Sequence, residues 1–225
     1  SQTASEWIRG RLRAPWFITV NTYAPHPPFH PPPEFLERMK PETMPLPLWG
    51  PNDLANQMKL AKVDFQSKPK DPATYPCRMM KAAYYAQVEY VDHCFGLVLQ
   101  ALESAGQLDN TLIVFTADHG ETMGDHGLVH KGCRFYEGLA HVPLIFSWPG
   151  RLPRGVRSRA LAELTDIVPT VLEALDIKRP DYLHGKSVYP ILAGRADRNR
   201  HREFARSEYH DALQEADSSH ANMLR

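Results

Sequence analysis

The sequence predicts an α/β domain with a mostly parallel sheet flanked by helices, and three observations predict it. Short apolar, β-branched runs recur at PWFITVN (15–21), at 108–115 ending in TLIVF, and at VPLIFSWPG (142–150). Each has the length and bounding turn residues of a buried strand. Between the first two, residues 78–105 repeat apolar side chains at three- and four-residue steps, the period of an amphipathic helix. A second such stretch, ELTDIVPTVLEALDI (163–177), follows the third run. Buried strands alternating with helices imply parallel pairing.

Taken in order, PWFITVN delivers the chain into TYAPHPPFHPPPEF, too rich in proline for a helix or an inner strand. Pro41, Pro45, Pro47 and Pro51 continue the theme, so residues 22–76 form a long stiffened excursion. Loops of that length serve function or are disordered, and Phe29, Phe35 and Trp49 argue for packing. The helix over 78–105 takes its apolar stripe from Ala82, Ala86, Val88, Val91, Phe95, Val98, Leu99 and Leu102, and Gly106 is its natural stop. The helix over 163–177 is capped by Thr165 or Asp166, with Pro169 tolerated in its first turn. The tail from Arg195 is polar and weakly patterned.

The composition excludes several classes. With 26 basic against 26 acidic residues the formal net charge is zero, so no nucleic-acid surface or basic membrane patch is expected. No apolar run approaches the roughly 20 residues of a membrane helix. The opening SQTASEWIRGRLRAPWF has no apolar core of a signal peptide, which leaves the compartment open. Cys77, Cys94 and Cys133 are an odd, sparse set without CxxC spacing and read as thiols outside any disulfide framework.

The chemistry concentrates at Thr116–Gly132, TADHGETMGDHGLVHKG, where two Asp, three His, one Glu, one Lys and four Gly follow a buried strand. Ligands of open α/β sheets sit beyond the carboxyl ends of strands. There Asp118 and His119 make a carboxylate and imidazole pair suited to a metal ion, if a turn brings both inward, and Gly120 suits such a turn. The plainer role for the pair is a helix cap and a satisfied polar contact. Glu121 reads as a surface or helix-start residue and His126 as a loop-shaping one. Lys131 places a cation where an anionic substrate would lie, or is a solvated surface lysine, and His130 is more ambiguous still. His26, held between prolines at the end of the first run, suits a general acid or a donor to a leaving-group oxygen. It equally suits packing against proline rings. His30 has weaker support.

These residues carry a resemblance. YYAQVEYVDHCFGLVLQALESAGQLDNTLIVFTADHGETMGDHGLVHKG, the PHPPF turn, YEGLAHVPLIFSWPG, DIVPTVLEAL and HGKSVYPILAG resemble, in order and rough spacing over about 15–195, the sulfatase family of the alkaline-phosphatase superfamily. The match extends to phosphonate monoester hydrolases and phosphodiesterases of that group. The resemblance implies an alkaline-phosphatase-like fold and hydrolysis of a sulfate ester, or alternatively of a phosphonate or phosphate ester. It implies Asp118 and His119 as metal ligands, with His in place of the Asn of many arylsulfatases. It implies Lys131 on the substrate's oxygens and His26 on the departing alkoxide. The cofactor implied is one divalent cation, Ca2+ first and Mn2+ or Mg2+ next; the partner implied is a small anionic ester. The family's nucleophile, a formylglycine matured in a Cys/Ser-x-Pro/Ala-x-Arg motif, has no counterpart in CRMMK, CFGLV or CRFYE. The family's first acidic metal ligands are absent too. The expectation is therefore that 1–195 are the C-terminal part of a catalytic domain, incomplete at its N-terminus and inactive alone. Residues 196–225 are then a polar tail or the start of a C-terminal subdomain. The contrasting expectation is a non-catalytic homologue that binds an anion or a partner.

Overall fold

The structure, a computed structural model, describes residues 2–10, 12–59, 69–210 and 220–225. The chain divides into two compact units, one of residues 1–108 and 121–132, the other of 109–120 and 133–225.

The first unit is built on one long helix. Helices α1 (Gln2–Arg9), α2 (Pro33–Leu36) and α3 (Asp53–Met58) precede α4 (Cys77–Ser104). Helix α4 ends as its glycine predicts. Gly106 takes φ +66, its N–H donates to Glu103 O, and the Gln107 N–H reaches back to Leu102 O at 2.9 Å. Those two bonds satisfy carbonyls the helix leaves unpaired. Helix α1 buries Ala4, Ser5 and Ile8, and Ser5 Oγ donates to Leu97 O of α4. The proline-rich excursion packs rather than wanders. Phe35 is buried, edge-on to Tyr90 of α4, and Phe29 joins Tyr75 and Tyr84 against Met80, Met123 and Val129. Trp49 is more exposed. Residues 60–68 of the excursion lie outside the described residues.

Two sequence expectations change here. PWFITVN forms no ladder with any described strand. Phe17, expected inside, is 84% exposed. An apolar β-branched run becomes a strand only where a neighbour supplies backbone partners. The buried face of α4 is also offset from the apolar stripe. Val88 is exposed, while the polar Lys81 and Gln87 are buried beside Cys77, Met80, Ala82 and Ala86.

In the second unit β1 (Ile113–Thr116) pairs antiparallel with β2 (Leu144–Ser147), from Ile113 opposite Ser147 to Thr116 opposite Leu144. The mostly parallel order does not appear among the four described strands. A parallel return needs a crossover of a dozen residues or more, usually a helix. Within the second unit the stretch leading to β2 holds only the one-turn helix α5 (Glu137–Ala140). Helix α6 (Ile167–Ala174) follows Asp166, one of the two predicted caps, but that side chain makes no cap bond to α6. It accepts the Glu163 N–H at 2.9 Å in the reciprocal capping box of the preceding 3-10 turn Leu164–Asp166, and Pro169 sits buried in the first turn of α6. Asp166 is wholly buried. It also accepts the Lys186 N–H at 2.7 Å and pairs with Arg202. After α7 (Tyr189–Leu192), the polar tail forms a hairpin, β3 (Arg206–His210) with β4 (His220–Leu224). Cross-strand pairing gives that tail an order its polar pattern does not announce. No disulfide links the cysteines; Cys77 and Cys94 are buried and Cys133 is half-buried. No described helix is long and apolar enough to cross a membrane.

Candidate active-site groups

Asp118 and His119 follow β1 directly. The turn after them forms because Gly120 has no side chain. A Cβ there would lie 1.9 Å from Gly138 O, while the Gly120 N–H donates to Leu139 O at 2.8 Å. The glycine therefore serves a close backbone approach; its φ is not positive. Each side chain of the pair is oriented by one backbone group. Asp118 Oδ1 accepts the His119 N–H at 3.0 Å. His119 Nδ1 lies 2.7 Å from Gly120 O; a carbonyl only accepts, so Nδ1 is the donor, and Nε2 is the nitrogen left for a ligand. The remaining atoms, Asp118 Oδ2 and His119 Nε2, stand 3.7 Å apart, and the Asp118 side chain is 87% exposed. An imidazole whose second nitrogen is fixed by a carbonyl is the arrangement metal-binding histidines use. No third carboxylate, imidazole or thiol completes a metal cluster among the described residues.

The other two candidates belong to the first unit. His26 is exposed at the tip of a turn closed by its own N–H donating to Tyr23 O at 3.0 Å. Its Nδ1 lies 2.7 Å from Pro27 O, which also accepts the Tyr23 hydroxyl at 2.8 Å. The ring stands 4.8 Å from that of Tyr23. Nδ1 is again the donor to a carbonyl, which leaves Nε2 as the nitrogen for a substrate. His30 is exposed nearby.

Lys131 is half-buried at the end of the loop 121–132. That loop is tightly determined. Thr122 Oγ1 shares its proton between Leu128 O at 2.8 Å and His130 O at 3.0 Å. Gly124 takes φ +98, and a Cβ on it would stand 2.7 Å from Cys77 Sγ. His126 does shape the loop: its backbone takes φ 56, which histidine tolerates better than most residues, and Nδ1 lies 3.2 Å from Asp53 Oδ2. Asp125 Oδ1 accepts the Leu48 N–H at 2.9 Å and faces the Lys81 ammonium at 3.4 Å. Glu121 turns its carboxylate to the Thr122 N–H, and His130 is exposed.

Sequence reasoning missed Lys81, Gln87, Asp53 and Asp125. The available signal was a lysine and a glutamine one step off the apolar stripe of a helix, where burial demands a partner. Nearby ionisable groups respond to burial as well: it pushes the Cys77 thiol and the Tyr84 phenol above their ordinary pKa, with Glu121 adding to the effect on Tyr84.

Comparison with known proteins gives these groups a context. The family model described as Sulfatase matches residues 2–177. An arylsulfatase of Clostridium perfringens (strain 13 / Type A) is 36% identical over 191 residues, which is 80% of this chain and 38% of the relative. The multifunctional alkaline phosphatase superfamily protein PehA of Trinickia caryophylli is 33% identical over 208 residues, 86% of this chain and 40% of the relative. The solved phosphonate monoester hydrolase of Agrobacterium radiobacter superposes with a TM-score of 0.83 at 28% identity, over 99% of this chain and 49% of that one. The chain thus spans about two fifths of the length of these curated relatives. The alkaline-phosphatase-like α/β class stands, and a family match over most of the chain settles kinship: this chain belongs to the sulfatase family of the alkaline-phosphatase superfamily.

Proposed function

We propose that the protein containing this chain is a metal-dependent hydrolase of sulfate esters. One observation carries the reading: Asp118 Oδ2 and His119 Nε2 stand 3.7 Å apart, each oriented through its partner atom by backbone. That spacing and donor chemistry fit two ligands of one divalent cation, Ca2+ by the carboxylate, with Mn2+ or Mg2+ admitted by the mixed set. When bound, such a cation polarises the non-bridging oxygens of the ester.

The chain's own residues do the rest. Lys131 holds those oxygens and adds fixed positive charge where negative charge accumulates in the transition state. His26, its Nδ1 proton committed to Pro27 O, donates from a protonated Nε2 to the leaving oxygen. No residue here matches the family's nucleophile motif, so the reading places the nucleophile elsewhere in the protein. Residues 1–195 then contribute the later part of the catalytic domain, and 196–225 open its C-terminal subdomain. The partner is a small anionic ester.

A second reading, phosphonate or phosphate diester hydrolysis, is favoured by the phosphonate monoester hydrolase likeness. The test compares an aryl sulfate with an aryl phosphonate monoester on the intact protein, with Lys131→Ala alongside. Faster sulfate turnover supports the first reading and faster phosphonate turnover the second. In either case Lys131→Ala lowers kcat/KM by about 100- to 1,000-fold with little change in melting temperature. Equal loss of activity and stability would make Lys131 a structural residue.

A further inference from the structure

We propose that α4 braces both substrate-facing groups of the first unit, with Gln87 positioning His26 and Lys81 positioning Lys131. The proposal rests on the roles given above to His26 and Lys131 and deepens them.

The structural basis is one helix face. Residues 80, 84 and 87 recur at four- and three-residue steps along one side of α4, and Lys81, three before Tyr84, flanks them. Its earlier part meets the Lys131 loop. Met80 packs with Met123 and Val129. Lys81, 7% exposed, points its ammonium at Asp125 Oδ1. That oxygen also takes the Leu48 N–H, and Leu48 O takes the His126 N–H at 2.7 Å. The lysine therefore closes a clasp around the middle of the loop. Its charge balances a carboxylate that would otherwise be partly buried alone. Helix α4 then meets the His26 turn one to two turns later. The Tyr84 ring stands edge-on to Phe29 at 5.8 Å. Gln87 Nε2 donates to Pro28 O at 3.4 Å, two residues from His26.

Gln87 is the more telling of the pair. It is 6% exposed, and its Oε1 has no hydrogen-bond partner. An orphaned buried carbonyl costs stability that an apolar residue of similar volume would not. The amide is thus poorly explained as core filling and well explained by its donor, which ties the proline-rich turn to the helix. A rigid helix that grips both segments sets the distance between a leaving-group donor and an oxygen-binding cation. Catalysis is sensitive to such distances at the ångström scale.

The two roles give different kinetic signatures. The intact protein is assayed on a series of aryl esters of graded leaving-group pKa, sulfates or phosphonates as the first test selects. His26→Ala should steepen the dependence of kcat/KM on leaving-group pKa, and Lys131→Ala should lower all substrates alike. Gln87→Met, which keeps volume and removes the donor, should steepen the slope as His26→Ala does, losing about 10- to 100-fold on the poorest leaving group and little on the best. Lys81→Met should lower every substrate by a similar factor, with Lys81→Arg recovering much of it. If Gln87→Met melts below the assay temperature, Gln87→Asn replaces it with the same slope expected. A merely structural role would lower all substrates through lost folded protein and leave the slope untouched. If His26→Ala steepens the slope and neither Gln87 variant does, or if Lys81→Arg rescues nothing, the brace is wrong. If His26→Ala itself leaves the slope unchanged, the site reading falls and takes the brace with it.

Discussion

The dipeptide Asp-His followed by Gly occurs twice within seventeen residues, at 118–120 and at 125–127, and the two copies have opposite fates. Asp125 is largely enclosed; it takes a backbone N–H and faces a buried lysine, and His126 meets Asp53. Asp118 is 87% exposed, and among the described residues its outer oxygen faces the Nε2 of its own neighbour. The copy at 125–127 uses its donor atoms internally, and the copy at 118–120 holds them ready. A metal- or substrate-binding residue needs its donor atoms unspent and its rotamer fixed, and 118–119 meets both conditions through backbone contacts alone. Local sequence is nearly identical, so the difference lies in what the tertiary structure brings alongside.

Substitutions can break or sharpen that contrast. The largest effect is expected at the open copy. Asp118→Ala in the intact protein should lower kcat/KM by about 1,000-fold or more and change stability by less than about 0.5 kcal/mol, as exposed sites usually do. Millimolar Ca2+ or Mn2+ should raise the melting temperature of the unsubstituted protein, since a ligand bound only by the folded state stabilises it. The same addition should leave Asp118→Ala unmoved, and a shift of equal size in both would remove Asp118 from the metal site.

The closed copy should behave in reverse. Asp125→Ala strands the Lys81 ammonium and should cost about 2–3 kcal/mol in urea denaturation, while metal-induced stabilisation persists. A loss of metal response with unchanged stability would mean the two copies had been assigned the wrong way round.

A smaller effect is expected at Cys77, which packs beside Gly124 of the same loop. Burial raises its thiol pKa, and the thiolate is the reactive form. At pH 8, iodoacetamide should therefore label Cys133 before Cys77, and Asp125→Ala should accelerate Cys77 labelling by loosening the loop. Mass spectrometry of tryptic peptides reads both, and Cys77 labelling as fast as Cys133 in the unsubstituted protein would contradict the packed loop.

The smallest effect belongs to an exposed pair. A hydrogen bond from Arg225 holds the Glu137 carboxyl below the usual carboxylate range. A carboxyl with a lowered folded-state pKa contributes stability above its unfolded pKa, near 4.3, and loses that contribution as pH falls through the lowered value. The contribution is therefore constant from pH 7 to about 5 and declines only in stronger acid. Arg225→Ala should flatten this acid limb of the melting curve slightly, and an effect confined to neutral pH would rule the pair out as its source.

How much was legible follows from range. Gly106 ending α4, the start of α6 just after Asp166 and Pro169 in that helix's first turn depend on neighbours within a few residues, and all were readable. So was the concentration of chemistry at 116–132. The buried face of α4 was misread because Lys81 and Gln87 are polar, and only their partners, Asp125 and Pro28, make burial tolerable. PWFITVN was misread for the same reason: β-propensity records fitness for a sheet, not the presence of a neighbour. The pairing of β3 with β4 escaped notice because its order comes from cross-strand hydrogen bonds, not from an apolar pattern.

By itself the sequence determined the long helix α4 with its stop at Gly106, the existence of α6, the family kinship and the residue types available for chemistry, since each depends on short-range sterics, hydrogen bonding or motif order. Only the tertiary structure decided which Asp-His pair is spent and which is open, and that a buried lysine and glutamine of one helix grip two separate segments. Those outcomes require groups distant in sequence to meet, and the energy of a buried charge or amide is set by the partner it finds.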